Sequence, residues 1–94
     1  MGHRMPERSD IKEWALKWVE GSILSYIKGR TSLNILLGRI KKAVNSYGVS
    51  REDVLELIGL IQTSPIYLPA LSPKEKAAKL KPLKDRLKEL WREK

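Results

Sequence analysis

Two copies of one pattern, "SRED" at residues 50–53 and "SPKE" at residues 72–75, restrict the fold more than any other feature of the chain. In each, a serine hydroxyl can accept from the amide three residues on while the acid reaches back, which closes the exposed N–H groups of a helix start. Residues 51–63 between them are bounded as a helix before propensity is consulted. Upstream, "SDIKE" offers Ser9 or Asp10 as a cap, with Asp10 and Glu13 at capping-box spacing, and Gly29 as the stop. Thr31 or Ser32 opens another helix, which Gly48 stops.

The apolar residues between these marks recur at helical spacing. Ile11, Trp14, Ala15, Trp18 and Ser22, joined by Val19, Ile23 and Ile27, give the first helix one broad face. Leu33, Leu36, Leu37, Ile40, Val44 and Tyr47 do the same for the second. In the third, Val54, Leu55, Leu57, Ile58, Leu60 and Ile61 leave few polar positions, which predicts cover on more than one side and a central place. The fourth begins at Pro73, and Pro82 predicts a bend or split. Leu80, Leu83, Leu87, Leu90 and Trp91 line one side of it, similar to a short coiled-coil seam. The expected fold is all-α: a single four-helix domain over residues 9–94, the first three helices enclosing most of the core, behind a flexible tail of residues 1–8.

Composition limits the chemistry. A 94-residue chain of this kind buries about 60–65% of its unfolded surface, enough for a core without staples. There is no cysteine, and the one histidine, His3, falls in the tail, so no metal, cofactor or redox site is expected. No apolar run approaches the ~20 residues of a membrane span, "MGHRMPERSD" lacks a signal-peptide core, and Pro6 stands where myristoylation needs Ser or Thr. A cytoplasmic location follows as an expectation. Few amides (Asn34, Asn45, Gln62) and a charged fraction of 32% fit a thermophilic source.

The net charge of +8 is concentrated at the C-terminus, where residues 73–94 contribute +5. Lys74, Lys76, Lys79, Lys81, Lys84, Arg86, Lys88 and Arg92 are the candidate phosphate contacts, to DNA or RNA, each adding a salt-dependent counterion-release term. The alternative is a solvated face interleaved with Glu75, Asp85, Glu89 and Glu93. The apolar face of this helix is too narrow to favour a membrane surface.

Measured from Gly48, Ala43, Tyr47, Val49, Val54 and Leu57 fall at the hydrophobic positions of a helix-turn-helix. The stretch "AVNSYGVSREDVLELI" resembles that DNA-binding family, departing from it at Val44, where the motif has a small residue. The resemblance implies that residues 51–63 are a recognition helix presenting Arg51, Glu52, Asp53, Glu56 and Gln62 to the major groove. Three of those five are acids, which phosphates repel, so a packed helical hairpin is the competing reading. Trp14 and Trp18 raise a similar choice between a base-stacking platform beside Lys17 and ordinary burial, and their stripe favours burial.

The segment "SPIYLPALSP" places Ile66, Tyr67 and Leu68 in a loop stiffened by Pro65 and Pro69. These side chains are expected either to close the base of the bundle or to anchor a partner, where tyrosine is effective. No Gly-rich phosphate loop, paired-histidine motif or Ser/His or Cys/His set is present, which argues against an enzyme. The expected function is a non-enzymatic accessory subunit that docks on a larger protein of a nucleic-acid machine, such as a DNA polymerase or other replication or transcription machinery, or a ribonucleoprotein. Its partner contacts would be Ile66, Tyr67, Leu68, Leu87 and Trp91. Autonomous DNA or RNA binding is the second reading, and a self-associating homo-oligomeric bundle the third.

Overall fold

The computed structural model describes residues 8–92, which form four helices and no strand: α1 (Arg8–Ile27), α2 (Leu33–Ser46), α3 (Arg51–Thr63) and α4 (Pro73–Leu90). Arg8 is helical; the rest of the expected tail, residues 1–7 with His3 among them, lies outside the described residues. Asp10 sits in the first turn of α1, where a carboxylate suits the positive end of the helix, and neither it nor Ser9 is the cap.

The other helix starts follow the local pattern. Ser32 caps α2, and complete capping boxes join Ser50 to Asp53 and Ser72 to Glu75. Gly29 and Gly48, at φ of 83° and 78°, end the first two helices in the left-handed conformation that glycine adopts without strain. Across Pro82 α4 is neither broken nor divided. The proline is exposed on the side away from the core, so water can reach the carbonyl that its missing N–H leaves unpaired.

The helices stand in the ring α1, α2, α4, α3, and the diagonal pair α2 and α3 scarcely touch. Ala43, Val49 and Val54 are buried as a helix-turn-helix requires, yet each points into the common core. The expected packed hairpin of α2 and α3 is therefore not formed, because burying both apolar stripes in one core carries α3 across the bundle to α4. As expected, the first three helices supply most of the core, and α4 completes it. Leu80, Leu83 and Leu87 of α4 lie in it with Ala15, Val19, Ile23, Leu36, Ile40 and Ile58. The coiled-coil-like seam is used inside the domain.

Asp53 holds α3 to α1 as well as capping it. Its carboxylate accepts from Ser50 N–H at 3.1 Å and pairs with Lys12 Nζ at 3.1 Å. The backbone hydrogen bond first, and the lysine next, lower its pKa. A depressed carboxylate stabilises the fold above its unfolded pKa and loses that contribution as pH falls through the folded value. Asp53→Ala is expected to cost about 1 kcal/mol at neutral pH, with the difference from wild type shrinking in acid. Urea midpoints at neutral pH and near pH 3 check this.

Candidate docking groove and its cationic flanks

Lys76 organises the loop in which Ile66, Tyr67 and Leu68 lie. It is 1% exposed, falls on the Leu80, Leu83, Leu87 stripe, and donates from Nζ to Ile61 O at 3.1 Å, to Ser64 O at 2.9 Å and to Tyr67 O. A lysine ammonium has three donors, and each meets a carbonyl. Ile61 and Ser64 are at the C-terminal end of α3, where a cation is favoured by the helix dipole. Lys76 is therefore not a phosphate contact, because its donors are committed and its charge is sealed from solvent.

The anchored loop divides its side chains between the core and solvent. Tyr67, Leu68 and Leu71 pack against the core, whereas Ile66 is 81% exposed. Leu68 takes φ of 53°, an unfavourable conformation for leucine, between the Tyr67 carbonyl held by Lys76 and its own carbonyl, which accepts from Leu71 N–H at 2.9 Å. Hydrogen bonding to the Glu20 carboxylate, then burial, then the charge of Glu20 raise the Tyr67 pKa. Leu87 is buried at 1% exposure and cannot be an exposed anchor; the core stripe of α4 needs it.

α3 is covered by both α1 and α4, but not all round. Val54, Ile58 and Ile61 are buried, but Leu55 and Leu60 remain 50% and 49% exposed on its two flanks. The neighbouring helices α1 and α4 leave Leu55 and Leu60 open, and each flank of α3 becomes the wall of a groove.

The α3–α4 groove has a volume of ≈ 780 Å³. Leu55, Gly59, Ala77 and Trp91 supply its apolar surface over buried Ile58 and Leu87. Lys81, Lys84, Lys88 and Arg92, spaced three or four residues apart along one side of α4, form a cationic rim. Lys81 pairs with Asp85 at 3.2 Å, and Lys84 Nζ donates to Gln62 Oε1 at 2.6 Å. Among the described residues, Lys88 and Arg92 have no carboxylate within ion-pair distance. Half-buried Trp91 closes one end, with the Arg51 guanidinium over its ring at 5.7 Å. The groove on the other flank of α3 is smaller, ≈ 230 Å³, and sets Leu16, Leu57 and Leu60 beside Glu20, Asp53 and Glu56.

The remaining candidate cations divide. Arg86 faces α2 across a cleft shared with Asn34 and Lys41, and Lys79, seven residues earlier, lies on the same side of α4. Lys74 is exposed near the start of the helix. The sequence pattern merged two flanks that the fold separates.

Trp14, expected to be buried, is 56% exposed. The α1 core stripe runs through Ala15, Val19, Ser22 and Ile23, leaving Trp14 on its edge. It stacks on half-buried Trp18 at 5.7 Å and meets the Tyr47 ring edge-on at 5.6 Å. Of the expected recognition-helix residues, Asp53 and Gln62 are engaged by Lys12 and Lys84.

Among the described residues, no group of His, Asp or Glu side chains could hold a metal ion, and no helix is long and apolar enough to cross a membrane. No protein-family model, curated protein or solved structure matches the chain.

Proposed function

We propose that this protein is a non-enzymatic, cytoplasmic accessory subunit that docks on a larger protein of a nucleic-acid-processing machine through its α3–α4 groove. The observation that carries the reading is the groove itself, an apolar trough containing half-exposed Leu55 and half-buried Trp91 between cations. Exposed aliphatic and aromatic side chains in a concave site provide the anchors around which interfaces form. Ile66 adds a further exposed apolar contact near the far end of α3.

The opposite flank supports the nucleic-acid part. Lys41, Lys79 and Arg86 lie away from the groove, so docking leaves them facing outward, where they can bring positive charge to phosphates without reading sequence. A small number of such contacts gives weak, salt-sensitive binding. In anisotropy titrations with duplex DNA, single-stranded DNA and RNA between about 50 and 200 mM salt, log K for the duplex should fall with log salt at a slope of about −2 to −3. Lys79→Gln and Arg86→Gln should each reduce the magnitude of that slope by about one, whereas Lys88→Gln leaves it unchanged. Tight binding that persists at the higher salt would make the protein an autonomous nucleic-acid binder instead. Mass that rises with concentration in the absence of ligand would favour self-association.

A further inference from the structure

We propose that the occupant of the α3–α4 groove is an acidic amphipathic helix of the partner protein, with its apolar side chains on Leu55, Gly59, Ala77 and Trp91 and its carboxylates against Lys88 and Arg92. The inference rests on the docking reading above and narrows it to one chemistry.

Three properties of the groove select a helix. Both walls are helices whose backbone groups are already paired, so no open strand edge is available to an extended peptide. A helical ligand pairs its own backbone and needs only side-chain contacts. The trough runs beside α4 from Ala77 to its C-cap at Trp91, about 21 Å at the helical rise, which matches roughly four turns of a ligand helix. Its surface also permits close approach. A Cβ built on Gly59 meets nothing within 4 Å, so no atom of this chain requires the glycine, although glycine weakens a helix interior. Gly59 and Ala77 contribute little side-chain bulk to the trough, while Leu55 and Trp91 supply its large apolar side chains.

The rim selects acid. Lys88 and Arg92 face the trough without a carboxylate partner among the described residues, and Lys84 is held only by the neutral Gln62 amide. Glutamates flanking an apolar stripe would meet these cations while the stripe covers Leu55. A nucleic-acid strand would satisfy the cations and leave the apolar floor without a partner. A bilayer surface would not enter a concave trough.

The test uses the full chain and three synthetic 14-residue helical peptides. One has leucines at i, i+4 and i+7 flanked by glutamates; the others replace every glutamate by glutamine or by lysine. Binding is followed by amide chemical shifts in ¹⁵N spectra. The acidic peptide should shift Leu55, Gly59, Ala77 and Trp91, with an affinity at least tenfold above the neutral peptide and no detectable binding of the basic one. Lys88→Gln with Arg92→Gln should erase that tenfold preference while the spectrum stays that of the folded protein. Equal affinity of acidic and neutral peptides at these residues would overturn the acidic assignment and leave the docking reading standing. Shifts at the same residues from a single-stranded oligonucleotide or an anionic vesicle, with none from any peptide, would overturn both. Silence from every probe would also overturn both.

Discussion

Lys76→Met is expected to destabilise the protein by about 3–5 kcal/mol, because the Ile61 and Tyr67 carbonyls lose their donor and Ser64 O keeps only the Tyr67 N–H, around a lysine that is itself buried. Methionine fills much of the same volume, so the change removes the ammonium more than the packing. For a domain of this size the loss corresponds to a fall in Tm of roughly 20 °C. Thermal and urea unfolding measure it, with an unchanged urea slope showing that the native state stays compact. Lys76→Arg should recover only part, since a planar guanidinium cannot direct three donors to three converging carbonyls. A loss below about 1 kcal/mol would mean that Tyr67 and Leu68 hold the loop by packing alone.

The same substitution distinguishes two roles for a lysine in a basic helix. If Lys76 touched phosphate, its loss would reduce the salt dependence of nucleic-acid binding. The buried position predicts no change in that slope at temperatures where the variant is folded.

Leu55→Glu should have the opposite profile. Leu55 is half exposed, so stability is expected to move by less than about 0.5 kcal/mol. Docking should weaken on the order of 100-fold, for two reasons that act together. The main aliphatic anchor is gone, and the new carboxylate stands beside the cationic rim, where it neutralises the charge meant for a partner. Ala78→Glu, on the exposed side of α4 outside the groove, should leave docking unchanged.

The helix starts were legible because capping is a local exchange between residues three apart, and Ser50 with Asp53 and Ser72 with Glu75 carry it in the sequence. Lys76 was not legible by charge. Its acceptors lie nine to fifteen residues back along the chain, and a lysine among lysines reads as solvated. The available signal was register: residue 76 continues the 80, 83, 87 stripe one turn earlier, so a buried cation was implied by position. Leu55 and Leu60 were misread for a related reason. Continuous apolarity along α3 predicts cover, but whether a second molecule or this chain provides it depends on how neighbouring helices sit. The same holds for Trp14, whose stripe membership left open whether α2 would reach over it; only the edge of Tyr47 does. The separation of Lys79 and Arg86 from Lys84 and Lys88 also required the fold, because helical spacing places them on different flanks without saying what each flank meets.

The central claim is that the α3–α4 groove docks a larger protein. The most direct test places a photocrosslinking amino acid at position 55 or, as a control, at position 78, with illumination in the cell of origin and mass spectrometry of the adducts. The expected result is one discrete, larger protein joined from position 55 and absent from position 78, with the crosslinked peptide in a helix rich in leucine and glutamate. Equal crosslinking from both positions, or adducts from position 55 only to nucleic acid, would contradict the account.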